Sequence, residues 1–260
     1  MSALYRQHRK RGGRWPARIA GLSVLLLLLA ALGLAGAGPA YRLELVPLGT
    51  AFNLLRLGGL LGLGAIAVAL LAMLVALLCR RRGVVWMALL TIAASAALLA
   101  PPWMHWQRAQ SAPPIHDITT DLEDPPAFVA LAPEREAAPN AVEYPGESFA
   151  RLQREAYPDI QPRHFPLPRD TVRAAAEAAV LDMGWEIADI EFGAADTIEA
   201  TATTTWFGFK DDVVVRLTQE SDGMRVDVRS ASRLGRGDAG ANAQRIRDYF
   251  EALEQRTGTG

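Results

Sequence analysis

A single cysteine, Cys79, in 260 residues excludes any intramolecular disulfide. Its place at the end of an apolar run assigns it to packing rather than to thiol chemistry. Lysine is almost missing too: Lys10 and Lys210 are the only two, and arginine supplies the remaining positive charge. That is a bias of composition with no functional demand behind it. Four histidines in the whole chain leave little for metal or nucleophilic chemistry. Acid is scarce at the start: residues 1–112 hold 12 Lys or Arg against the one acid Glu44, whereas residues 113–260 hold 15 basic and 27 acidic side chains. So acidic a second part lacks the basic footprint that phosphate chains require, which excludes nucleic acid as a partner.

Charge is absent altogether from three long apolar runs, Ile19 to about Ala37, Leu57 to Cys79 and Val84 to about Trp103. Each approaches the roughly 20 residues that a hydrocarbon core demands of a helix, which predicts three transmembrane helices and the lipid bilayer as surroundings. The arm before them carries Arg6, Arg9, Lys10, Arg11, Arg14 and Arg18, and the second turn is Arg80-Arg81-Arg82. By the positive-inside rule both lie in the cytoplasm, so three crossings put everything after Trp103 outside. The expected location is a bacterial inner membrane, multi-pass, with a periplasmic C-terminal domain. Ala35-Gly36-Ala37 also fits a signal-peptidase site, and cleavage there would leave the C-terminal part outside all the same. The spans carry no ionisable residue of the kind a transport path uses. Gly58 and Gly62 form a GxxxG pattern open to close helix packing, either with a neighbouring helix or with a second copy.

Between Pro101 and Pro168 stand 13 of the 16 prolines, which predicts an extended connector in which regular helix does not persist. Ile115 to Thr120 alternates like a short strand, and Phe128, Tyr144, Phe149 and Tyr157 are candidates to anchor the connector on a domain surface. Asp170 is placed to cap a helix ending at Gly184. Strands are predicted at Trp185 to Phe192, Thr197 to Phe207, Val213 to Gln219 and Met224 to Ser230, and an amphipathic helix at about Ala241 to Glu254. The fold class is α+β: three transmembrane helices, then an antiparallel sheet of about four strands packed by two helices. The domains are a basic arm (1–18), a membrane region (19–104), a connector partly packed on the next domain (105–168) and the α+β domain (169–260).

With Asp222-Gly223 as a two-residue turn, Glu220 pairs with Arg225 and Arg216 faces Arg229. Like charges directly opposite need an anion between them. Either Asp211, Asp212, Asp227 or Asp238 closes a salt-bridge network, or Arg216, Arg229 and Arg233 form a patch for an anionic ligand or a partner. Gly235-Arg236-Gly237-Asp238-Ala239-Gly240 matches G-x-G-x-x-G, yet no second parallel strand follows, so it reads as a strand-to-helix turn with Asp238 at the helix start and Asn242 holding loop backbone. His116, Asp117, Asp121 and His164 lack metal-ligand spacing. Trp206, Phe207 and Phe209 around Gly208 read as sheet-end packing. No catalytic residue, cofactor or metal is assigned. The candidate binding residues are Asp211, Asp212, Arg216, Arg229, Arg233, Asp238 and Asn242.

The stretches P-P-I-H-D-I-T-T-D at Pro113 to Asp121, W-F-G-F-K-D-D-V-V-V-R at Trp206 to Arg216, and V-R-S-A-S-R-L-G-R-G-D-A-G-A-N at Val228 to Asn242 resemble the domain of unknown function family 1499. The resemblance covers about Pro113 to Leu253. It implies a bacterial or plant protein with membrane segments ahead of the domain. It points to Asp211, Asp212, Arg216, Arg229, Ser230, Ser232, Arg233, Gly235, Asp238, Gly240 and Asn242 without implying a catalytic role for any. Ala141 stands in Pro139-Asn140-Ala141-Val142 where the family often has cysteine, so a thiol-dependent role does not extend to this chain. These readings favour a non-enzymatic membrane-anchored module that binds an envelope partner, over an enzyme using Asp211 or Asp212 as base and Arg216 and Arg229 as clamps on an anionic substrate.

Overall fold

The structure, a computed structural model, describes residues 13–191 and 195–259. Arg6, Arg9, Lys10 and Arg11 of the basic arm, and Phe192 of the first predicted long strand, lie outside the described residues. The chain divides into two compact units, the first ending at Met104 and the second beginning at His105.

Helices α1 (Trp15–Arg42) and α2 (Leu48–Leu78) of the first unit, and α3 (Arg82–Ser111), whose last turns belong to the second, are each long and apolar enough to cross a membrane. Small residues recur along one side of α2, where Ala51, Gly58, Gly62, Ala65, Ala69, Ala72 and Ala76 are buried. Such a stripe lets backbones approach closely where apolar burial gives no advantage over lipid. A Cβ on Gly58 would lie 2.9 Å from the Leu34 backbone nitrogen of α1, and one on Gly62 would lie 3.0 Å from the Leu99 side chain of α3. Both glycines of the GxxxG pattern are thus filled from within the chain. Ser23 and Thr91 turn their hydroxyls back onto the Ala20 and Met87 carbonyls, at 2.7 and 2.9 Å.

Proline does not end the third helix. Pro101 and Pro102 sit inside α3, removing the bonds to the carbonyls of Ala97 and Leu98 without stopping the helix. Nor is the connector wholly extended. It contains α4 (Ala132–Glu136), with Pro133 in the first turn where its missing N–H leaves no bond unmade, and α5 (Glu147–Ala156), which fits between Pro145 and Pro158.

The second unit is an antiparallel sheet of six strands, two more than the four long ones read from sequence. The additional strands come from the connector: β1 (Asp117–Thr119) and β2 (Arg163–Phe165) both pair with β6 (Gly223–Ser232), forming one broken edge. The order continues from β6 to β5 (Lys210–Glu220), β4 (Ala195–Thr203) and β3 (Glu186–Glu191). β4 stops short of its predicted end because Thr204 turns the chain, accepting the Phe209 N–H on its hydroxyl at 2.8 Å. Helix α6 (Arg169–Asp182) starts one residue before Asp170, with Pro168 at its cap, and α7 (Ala241–Thr257) closes the domain.

The central hairpin has a register two residues away from that predicted. Glu220 pairs with Gly223, so Ser221-Asp222 is the turn and Arg216 faces Asp227 rather than Arg229. Gly223 instead opens β6 beside β2, where only glycine fits: a Cβ on it would fall 2.2 Å from the Phe165 carbonyl oxygen. A shift of two keeps every side chain on its face. Val213, Val215, Leu217, Val226 and Val228 therefore still meet Val172, Ala176 and Val180 of α6 and Ile246, Tyr249, Phe250 and Leu253 of α7 in one core. Trp185 stacks on Tyr249 with ring centroids 5.6 Å apart.

Candidate functional site

Alternation along β5 decides the geometry. Successive residues of a strand point to opposite faces, so Asp211 and Asp212, adjacent in sequence, enter two separate clusters. Asp211 shares the helix face with Ser230 and Ser232, whereas Asp212 shares the other face with Arg216, Asp227 and Arg229.

On the helix face the cluster is built around Asn242, the second residue of α7. Its amide donates to the His116 carbonyl at 3.0 Å and the Ser232 hydroxyl at 2.9 Å, and its oxygen accepts from the Ser230 hydroxyl at 2.7 Å. Arg245, one turn on, donates to Ser230, Asn242 and Asp211. Asp238 ties the helix start, accepting the N–H groups of Gly240 and Asn242 at 2.8 and 2.7 Å. Burial pushes its carboxyl above the usual range, against the pull of those two donors. Burial likewise holds His116 below its usual 6.5, with the Asp117 carboxylate opposing in part. Among the described residues the His116 Nδ1 is buried without a hydrogen-bond partner, and its ring meets Phe149 edge-on at 5.2 Å.

The opposite face is covered by the connector. Glu199 on β4 accepts the N–H groups of Val129, Ala130 and Leu131 at 2.8 to 2.9 Å, fixing the turn that leads into α4. That brings Arg135 down onto the sheet, where it is fully buried and donates to Asp212 and the Ala231 carbonyl, both at 3.0 Å. Asp212 also accepts from Arg233 at 2.8 Å and from the Thr201 hydroxyl at 2.9 Å. Arg229 grips Asp117 with two bonds of 3.0 and 2.8 Å and reaches the carbonyls of Pro126 and Val142. Both buried guanidinium groups stand over the Phe128 ring, that of Arg135 4.6 Å and that of Arg229 4.7 Å from its centroid. The two are thus paired or bonded through their terminal nitrogens, as buried charges require, although the Arg135 Nε is buried without a hydrogen-bond partner among the described residues.

Towards the β2 end of the same face, Arg216 bonds Asp121, Asp124 and Asp227, while Arg225 bonds Asp121 and Asp227. Burial works to raise the Asp121 carboxyl, but the N–H groups of Asp124 and Glu123 and the two arginines carry it below the ordinary value. Beside this network opens a groove of about 390 Å³, lined by Thr120 to Asp124, Arg154, Gln161, Pro162 and Arg225. At the hairpin tip His164 Nε2 stands 3.2 Å from Asp222 and 3.7 Å from Glu220, an exposed set.

Of the sequence-predicted residues, Asp212 and Arg233 meet directly. Arg216 and Arg229 share their face but hold different acids, and Asp211, Asp238 and Asn242 belong to the helix face. Sequence reasoning missed Arg135, Arg245 and Glu199. Arg245 was within reach, one turn beyond Asn242 on an amphipathic helix, whereas Arg135 stands in a short proline-flanked segment with no period to point its side chain inward.

Three apolar helices joined to an α+β domain, whose sheet is sealed on one face by helices and on the other by buried ion pairs, define the class of protein. The chain belongs to the family described as Protein of unknown function (DUF1499), whose family model matches residues 117–253. No curated protein matches the chain, and no solved structure does.

Proposed function

We propose that the chain is a multi-pass protein of a bacterial inner membrane whose C-terminal domain, on the periplasmic side, binds or scaffolds an envelope component. The observation that carries this reading is the state of Asp212. It is fully buried and engaged by Arg135, Arg233 and Thr201, so the acid at the centre of the candidate residues has no free lone pair turned to a concavity. A general base must reach the proton it removes. The competing enzyme reading needs Asp211 and Asp212 to act with Arg216 and Arg229, and strand alternation separates the two acids onto different faces.

The arginines hold the connector in place, and the connector forms the wall of the groove at Asp121, Glu123 and Asp124. That groove, with exposed acids on one side and Arg154 and Arg225 on the other, is the surface we assign to a partner. The test is affinity purification of the full-length protein from native membranes beside a Glu123→Arg, Arg154→Glu variant, both positions being exposed. A specific envelope partner lost in the variant is expected. Turnover of an anionic envelope substrate, abolished by Asp212→Asn in a protein that keeps its fold, would overturn the reading in favour of an enzyme.

A further inference from the structure

Beyond α3, the large apolar side chains exposed among the described residues are Val129, Leu181 and Trp206, and only Trp206 stands at the tip of a hairpin. Its indole is 50% exposed. The tip is firmly built: the Thr204 N–H donates to the Phe209 carbonyl and the Gly208 N–H to the Thr204 carbonyl, both at 2.9 Å. Phe207 stacks on Phe209 with centroids 4.9 Å apart. Gly208, at φ +70°, takes a conformation that other residues rarely adopt. Lys210, exposed, follows at the start of β5.

Strand register locates this tip within the sheet. Asp117 pairs with Ala231, Ala231 with Asp212, and Lys210 with Thr203, so the first residue of β1 and the β4 to β5 tip lie at one end of the sheet. The chain entering β1 is fastened at that end, where the Asp238 N–H donates to the Ile115 carbonyl at 3.3 Å and Gly237 fits against Pro114. Helix α3 ends at Ser111, and the short segment from there to Asp117 reaches at most about 20 Å when fully extended. The apolar helix thus tethers this domain by the very end that carries Trp206.

A half-exposed indole on a tip whose return strand opens with an exposed lysine suits the headgroup layer of a bilayer, where tryptophan rings and basic side chains collect. We propose that the β4 to β5 tip is a second membrane contact, with Trp206 seated among lipid headgroups and Lys210 against their phosphates. The proposal rests on α1 to α3 spanning that bilayer. It gives the domain a fixed attitude on the membrane surface, which a single tether does not.

The test uses the full-length chain in nanodiscs with phosphatidylglycerol, with and without lipids brominated near the headgroup. Subtracting the emission of Trp206→Phe from that of the wild type isolates Trp206. Blue-shifted emission that bromolipid quenches and aqueous iodide does not is expected, with most of that quenching lost in Lys210→Glu. Emission quenched by iodide and untouched by bromolipid, while bromolipid still quenches the remaining tryptophans, overturns the tip contact alone. If bromolipid quenches neither, the spanning helices themselves are overturned.

Discussion

Asp212 shows how much a single buried carboxylate holds together here. Removing it leaves Arg135, with no exposed side-chain surface, as an uncompensated charge in the interior. Breaking a buried pair from one side costs about 3–5 kcal/mol, whereas an exposed pair contributes roughly 0–1. Asp212→Ala is therefore expected to destabilise the C-terminal domain by about 3–5 kcal/mol. Asp124→Ala, whose carboxylate is 84% exposed in its pair with Arg216, is expected to change stability little. Denaturant unfolding of the purified chain, followed through the near-UV signal of the stacked Trp185 and Tyr249, separates the two. Equal losses would mean that Asp212 does not bear the burden assigned to it.

His116 supplies a prediction of opposite origin, from a group that resists being charged. Because burial lowers its folded-state value below 6.5, the unfolded chain takes up more protons than the folded one between the two values. Stability then rises with pH across that window and is lost as pH falls from 6.5 through the folded value. His116→Phe, which keeps a ring against Phe149, is expected to flatten this part of the profile. Unfolding curves at pH 7.5 and 5.5, compared between wild type and variant, check it. An unchanged pH slope in the variant would remove His116 as the cause.

Among the elements, α2 carries the clearest local test. Gly58 meets the α1 backbone, but a Cβ on its neighbour Gly59 would find nothing within 4 Å. Gly58→Ala is expected to lower the thermal stability of the helix pair without altering the oligomeric state, and Gly59→Ala to leave both unchanged. Light scattering and thermal unfolding in detergent distinguish this from self-association through Gly58 and Gly62. A change of oligomer size in Gly58→Ala alone would restore the second copy as the glycine's partner. The same comparison explains what the sequence could disclose. Periodicity exposed the three apolar helices and the long elements after Pro168, since Val213, Val215 and Leu217 alternate and Ile246, Tyr249, Phe250 and Leu253 recur at helical spacing, but the ten-residue α5 within the connector was not read from it. It was silent on β2, a three-residue strand whose place depends on the bare backbone of Gly223, and on α4, whose Arg135 is drawn inward by an acid 77 residues away. The hairpin register was misread because Asp222-Gly223 carries strong local turn chemistry, whereas in the structure Gly223 belongs to β6 and serves the close approach of Phe165, a residue distant in sequence.

For the molecule as a whole, three helices are long and apolar enough to cross a membrane, and the charge that flanks them predicts the direction in which they would run. In chain order an arginine-rich arm precedes the first helix, an arginine-rich turn joins the second to the third, and residues 113–260, with 27 acids and 15 bases, follow; the positive-inside rule turns that order into a predicted orientation that can be read directly. Cysteines placed singly at Ser2, Arg81 and Arg236 in a Cys79→Ser background probe the arm, the α2 to α3 turn and the exposed loop before α7. An impermeant maleimide added to intact cells, or to spheroplasts where an outer membrane blocks it, is expected to label Arg236→Cys alone. Ser2→Cys and Arg81→Cys should label only after the membrane is opened. The Ser2→Cys protein should then run at full size, because Ala35-Gly36-Ala37 lies inside α1, a helix that extends to Arg42 and packs on α2. Label on Arg81→Cys from outside would invert the orientation and move the domain to the cytoplasm. A labelled short fragment from Ser2→Cys would mean that α1 is cut after targeting, leaving α2 and α3 to anchor a domain still facing outward.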